Sequence, residues 1–240
     1  MTSSPVTTEP KATRLLVARH GEVHERWRRT VYGRLDVELS ATGEEQSRRL
    51  GEALASVPID AVVSSGLLRA ESAAAHVRAH RPSSAPALER LDDPRFVELD
   101  RGDWAGRSVD ELEKEQPEAY GRWMSSRGAV QAPRGESPAD VAARVLPAYA
   151  DWAGRYPGGT ILVVAHLWVV RSAVAAALGL PMESSGQLLL PPGGVCDFLW
   201  PVDPGSLDQP PILKGFGLAQ AWVGRRAGER ATGGLRALDE

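Results

Sequence analysis

Arg19 and His20 follow directly on the apolar run Leu15-Leu16-Val17-Ala18, so a permanent cation and an imidazole stand at the end of a buried strand. The pattern returns downstream, where Ile161-Leu162-Val163-Val164-Ala165 ends in His166, and Arg69 comes shortly after the short apolar run Ala61-Val62-Val63. In open α/β sheets ligands bind in the crevice beyond the carboxyl ends of the strands. Taken singly, a histidine at a strand end is more often structural, and an arginine is more often a surface cation. Taken together, charged groups in one crevice require a compensating anion, because burying them is otherwise unfavourable. Two histidines and two arginines so placed make a site for a phosphate dianion.

These residues meet only if regular elements carry them to one sheet edge. The spacing predicts a strand over 14–18 and a helix opening near Ala41, with Thr42-Gly43-Glu44-Glu45 as its cap and acidic first turn. A strand at 60–64 leads into a helix at 67–80. The Pro- and Ser-rich stretch 81–95 then ends in a short strand carrying Glu98. Two helices are expected between 108 and 156, separated by the loop 128–138. The first is capped by Ser108, with Asp110 and Glu111 in its first turn, and carries Tyr120, Trp123 and Met124; the second opens at Ser137-Pro138. A strand at 160–165, a helix at 168–178 closed by Gly179 and Pro181, and short strands at 186–190, 195–200 and 211–216 complete the pattern. This alternation predicts a three-layer α/β/α sandwich around a mostly parallel sheet. The domain is expected over 14–222, with a disordered polar segment at 1–13 and a flexible Gly-, Arg- and Ala-rich tail at 223–240.

Bulk properties narrow the function classes. A chain of 240 residues holds one sizeable α/β domain, and 42% hydrophobic with 25% charged residues is ordinary for a globular protein. A formal charge of −3 predicts neither a nucleic-acid nor a membrane partner. Only Lys11, Lys114 and Lys214 among the basic residues are lysines, so each arginine must be judged by its position. The single Cys196 excludes an intrachain disulfide and fits a reducing compartment. No signal-peptide pattern and no apolar stretch of roughly 18 residues is present, so a soluble cytoplasmic protein is expected.

The motifs resemble those of a known family. Leu16-Val17-Ala18-Arg19-His20-Gly21-Glu22 is similar to the signature of the histidine phosphatase superfamily, whose fold is phosphoglycerate mutase-like. Gly33 with the run Asp36 to Gly43 resembles that family's loop and first helix start, and Val63 to Ala70 resembles the segment bearing its second phosphate arginine. Glu98 to Gly106 resembles the proton-donor segment, Gly135-Glu136-Ser137 precedes the penultimate helix, and Val163 to His166 ends the late strand. The resemblance spans roughly residues 14–200. It implies that His20 is a nucleophile forming a phosphohistidine, that Arg19, Arg69 and His166 hold phosphoryl oxygens, and that Glu98 protonates the leaving alcohol. It further implies a phosphomonoesterase of a small phosphorylated metabolite that needs no metal or other cofactor. Phosphoglycerate mutase-type transfer and an inactive phospho-ligand-binding domain are the alternatives. Only 68 residues separate Glu98 from His166, shorter than the insertion usual in the mutases, which favours hydrolysis. Pairing into a homodimer is left open.

Two departures bear on substrate. Arg26 stands where the family often has an asparagine; it could serve as a charged phosphate donor or point to solvent, and solvent is favoured. Leu167 and Trp168 follow the late histidine where many members have glycine, which would narrow the crevice; Trp104, close after Glu98, could also line it. His20, Glu22 and His24 read as H-x-E-x-H, but on an irregular loop that spacing has no fixed geometry, and no metal site is expected.

Overall fold

The computed structural model describes residues 12–202 and 209–217. The first strand, β1 (Ala12–Arg19), starts before its apolar run, because the Thr13 hydroxyl shares its hydrogen between the carbonyls of Ala153 and Tyr156 at 2.8 and 2.9 Å. Ala12 and Thr13 are therefore ordered in a strand, which corrects the expected disorder at those two positions. The expectations for residues 1–11 and for the tail 223–240 lie outside the described residues.

Helix α1 (Ala41–Leu54) is capped two residues earlier than expected: Ser40, rather than Thr42, accepts from the Gly43 N–H at 3.0 Å. Strand β2 (Ala61–Ser64) leads into α2 (Leu68–Ala79), and β3 is only the pair Leu91–Asp92. The strand expected to carry Glu98 does not form. Asp93 instead caps a 3₁₀ turn over Pro94–Phe96, and Glu98 lies in the irregular segment beyond it. The helix expected from Ser108 is two, α3 (Val109–Glu115) and α4 (Pro117–Ser125). Pro117 disfavours helical geometry at the preceding residue, and Gln116 turns out to φ −137°, ψ 51°. Next come α5 (Pro138–Arg155), β4 (Thr160–Ala165) and α6 (Leu167–Leu178), the last closed by Gly179 in the left-handed region at φ 62°. Residues 186–190, expected as a strand, form the end of a 3₁₀ segment and an irregular run, while β5 (Val195–Pro201) and β6 (Ile212–Gly215) do form.

The strands make one six-stranded sheet in the order β3-β2-β4-β1-β5-β6. The first four are mutually parallel, and β5 and β6 join antiparallel. Alternate residues of the central strands feed two cores. Leu16, Ala18, Val62, Leu162 and Val164 pack with Leu50 of α1 and Ala70, Ala73, Ala74 and Val77 of α2. Leu15, Val17, Val63, Ile161 and Val163 pack with Val145, Tyr149 and Trp152 of α5 and Val170 and Val174 of α6. The result is the three-layer sandwich. A smaller aromatic cluster of Trp104, Tyr120 and Trp123 supports the segment after Glu98.

The register aligns the strand ends that matter. Arg19 pairs with Ala165, and Ser64 with Val164, so the residues one step beyond, His20, Ser65 and His166, emerge side by side over the central strands.

Candidate active site

His20 leaves β1 with its backbone N–H bonded to the Ala165 carbonyl at 3.0 Å, and its ring is almost fully buried. Nδ1 lies 2.7 Å from the Gly21 carbonyl. A carbonyl only accepts, so Nδ1 carries the hydrogen and Nε2 keeps its lone pair. Arg69, in the first turn of α2, donates from Nε to that Nε2 at 3.3 Å. Burial, then the nearby Arg69 and Arg19, hold the His20 pKa well below the usual imidazole range. Gly21 is required here because a Cβ would overlap the Gly43 carbonyl, where the chain after His20 crosses the start of α1.

Arg69 is fully buried and fixed by the carbonyls of Leu35 and Gly33, each at 2.7 Å, with its guanidinium 5.3 Å from the Tyr32 ring centre. Arg19 is buried and donates to the Leu190 carbonyl at 2.6 Å. Burial lowers the pKa of both arginines from a value far above neutrality, and both remain cations. Burial also raises the pKa of Tyr32, which stays a neutral phenol despite these cations.

His166 opens α6 and stands edge-on to His20, ring centres 5.1 Å apart. Its Nε2 is 2.8 Å from the Ser65 hydroxyl, and its Nδ1 is buried with no partner among the described residues. Desolvation, with Arg69 and His20 as neighbours, holds His166 neutral as well. With the Ser65 hydroxyl donating to Nε2, Nδ1 carries the hydrogen and is a donor available to a phosphoryl oxygen.

Glu98 comes from the other side. Its Oε1 accepts from the Leu99 N–H at 2.7 Å and, at 3.3 Å, from the Trp168 N–H in the first turn of α6. A clamp positions the backbone of this segment. Arg34 and Arg144 both donate to the Glu98 carbonyl, at 3.2 and 3.1 Å, and both are held by Glu136, whose Oε2 accepts from Arg144 and also receives the Asp100 N–H at 3.0 Å.

The structure thus brings Arg19, His20, Arg69, Glu98 and His166 together. The remaining candidates fall elsewhere. Arg26 is exposed and pairs with Glu38 at 2.7 Å while lying over Trp27, so it takes the solvent-side alternative. Trp104 is buried in the aromatic cluster with its indole N–H on Gln116, and does not line the site. The Leu167 and Trp168 side chains pack into the core; what Trp168 offers to the site is its backbone N–H. His24, exposed on a 3₁₀ cap, does not join the buried His20. Ser65 escaped the sequence reading, although the strand-end logic that selects His166 selects it too. Tyr32, Arg34, Arg101, Arg144 and Arg171 carry no local signal that separates them from the other arginines and tyrosines.

A profile of the histidine phosphatase superfamily, branch 1, matches residues 15–207. Phosphoserine phosphatase 1 of Hydrogenobacter thermophilus is 30% identical over 170 residues, covering 71% of this chain and 78% of that protein. Phosphoglycerate mutase-like protein 4 of Arabidopsis thaliana is 36% identical over 160 residues, covering 66% and 68%. The solved structure of a mycobacterial glucosyl-3-phosphoglycerate phosphatase superposes with a TM-score of 0.74 at 28% identity, over 86% of this chain and 99% of that one.

Proposed function

The chain belongs to the histidine phosphatase superfamily, and from that premise we propose that it hydrolyses a small phosphorylated metabolite through a phosphohistidine on His20, without a metal ion. The observation that carries this reading is the Nδ1 hydrogen bond of His20 to Gly21, which presents a neutral, desolvated Nε2 lone pair beside Arg69.

Arg19, Arg69 and the His166 Nδ1–H take the non-bridging phosphoryl oxygens, so three donors neutralise the charge that develops there. The His20 Nε2 lone pair forms the N–P bond as the P–O bond to the leaving group breaks. Protonated Glu98 gives its hydrogen to that departing oxygen, which leaves as the alcohol. Glu98, now a carboxylate, takes a proton from water as the water oxygen attacks phosphorus; the N–P bond breaks, His20 is neutral again and inorganic phosphate is released. The guanidinium groups supply the charge that divalent cations provide at other phosphoryl-transfer sites. Relatives and neighbours named as phosphoserine and glucosyl-3-phosphoglycerate phosphatases support the phosphatase reading, and relatives named as probable phosphoglycerate mutases keep the mutase as its alternative. The single, buried Cys196 is consistent with a cytoplasmic setting. Among the described residues no helix is long and apolar enough to cross a membrane.

The deciding assay follows phosphate release and substrate loss together over a panel of phosphorylated metabolites. Release equal to loss supports the phosphatase, while isomer exchange of phosphoglycerates faster than release supports the mutase.

A further inference from the structure

We propose that Arg101 is a specificity-determining residue that binds a second anionic oxygen group on the leaving alcohol, so that the preferred substrates are phosphoesters of anionic alcohols. The proposal rests on the phosphatase reading and adds a subsite to it.

The described arginines differ in how their charge is met. Those near the surface, such as Arg48, Arg95 and Arg144, pair with carboxylates. Arg101 and Arg171 are buried and, among the described residues, form no ion pair. Arg171 is consumed by structure: it donates to the carbonyls of Leu188 and Gly186 at 3.0 and 3.1 Å and stacks on Trp168 at 4.5 Å. Arg101 is not consumed. Its guanidinium lies 5.1 Å from the Trp123 ring centre, and its buried Nη1 has no hydrogen-bond partner among the described residues. A buried cation with an unmet donor is unfavourable unless an anion arrives to meet it.

Position selects the anion. Arg101 is three residues past Glu98, and Glu98 and Tyr32 bear on it electrostatically, as does the neighbouring cation Arg171. Its stem is pinned beneath Gly33, where φ is 45° and a Cβ would come within 2.7 Å of Arg101 Cγ. The same Gly33 fixes Arg69 through its carbonyl. The loop thus sets Arg69 beside His20, while Arg101 lies under the same loop within the electrostatic reach of Glu98, and this is what assigns it to the leaving alcohol. Charge points the same way. With Glu98 protonated for its donor step, a phosphate dianion answers two of the buried cations Arg19, Arg69, Arg101 and Arg171. A further anion on the leaving group answers a third.

Two substrate pairs test this, each differing by one anionic group: 3-phosphoglycerate against glycerol 3-phosphate, and propane-1,3-diol bisphosphate against its monophosphate. In the wild-type chain kcat/KM should favour the anionic member of at least one pair by about 10- to 100-fold, the scale of a charge-assisted hydrogen bond. Which pair responds tells carboxylate from phosphate. Arg101→Met keeps the stem on Trp123 and should erase that preference, whereas Arg101→Lys should retain part of it. No preference in the wild type for either pair, or a preference that survives Arg101→Met, overturns the proposal; so does an equal loss on all four compounds, which would place Arg101 in the phosphoryl site. Affinities of the same four compounds for the His20→Ala chain, measured by calorimetry, decide the question independently of turnover. If the wild type turns over none of them, the wider metabolite panel judges the phosphatase reading, while the binding comparison still judges Arg101.

Discussion

Arg69 donates through Nε to His20 Nε2 at 3.3 Å, so the cation proposed to bind phosphate and the atom proposed as nucleophile are in direct contact. The contact has two consequences. It adds to burial in keeping the imidazole neutral, and in the proposed mechanism it would bring a phosphoryl oxygen drawn to Arg69 within reach of the attacking lone pair. The mechanism proposed above thus rests on one local geometry, in which the carbonyls of Gly33 and Leu35 fix Arg69.

The first prediction concerns acid. His20 and His166 have native pKa values well below their unfolded value of about 6.5. Below that pH the unfolded chain takes up two protons that the native chain refuses, so stability must fall as pH falls. Each histidine contributes up to about 1.4 kcal/mol per pH unit between roughly pH 6.5 and its native pKa. Urea unfolding of the wild type and of His20→Gln/His166→Gln at pH 7.5, 6.5 and 5.5 checks this; the double variant should show the shallower decline, and parallel declines would contradict neutral native imidazoles.

Removing the Glu98 carboxylate should separate substrates by leaving group. Glu98→Gln should slow alkyl phosphates by roughly 10²–10⁴-fold and p-nitrophenyl phosphate far less, since nitrophenolate leaves without a proton. Equal losses would assign the proton donor to another group.

Glu136 tests the clamp. It holds Arg34 and Arg144, which in turn hold the Glu98 carbonyl. Glu136→Gln should destabilise the fold by about 1–3 kcal/mol. It should also lower kcat for alkyl phosphates more than for aryl ones, with little change in KM, because it displaces the proton donor and leaves Arg19 and Arg69 in place. A stability loss with unchanged selectivity would make the clamp purely structural.

Metal removal gives a further check. With guanidinium groups supplying the positive charge, phosphate release should persist in excess chelator, and chelator-sensitive activity restored by a divalent ion would contradict the mechanism.

The strand-end residues were legible in the sequence because their positions follow from a single rule. An apolar run that must be buried ends where Arg19, His20 and His166 begin, and parallel pairing of β1 with β4 then puts the two histidines together. The order of layers was legible for the same reason. Less legible was anything set by contacts distant along the chain. Glu98 was expected on a strand, but its segment is shaped by the Asp93 cap and by Arg34 and Arg144, which lie 64 and 46 residues away. The Arg26 side chain was decided by Glu38 and Trp27 across a loop, and that of Trp104 by the aromatic cluster. Among so many arginines, composition could not mark Arg101 as one with a buried, unmet donor close to the Glu98 segment.

The most direct test of the account is to trap the intermediate. Wild-type protein mixed with ³²P-labelled substrate and quenched within milliseconds should carry acid-labile, base-stable label on His20, formed before phosphate release. His20→Ala should neither label nor turn over, and His166→Ala should label more slowly at the same residue. Steady hydrolysis with no label on His20, or label on another side chain, would contradict the account.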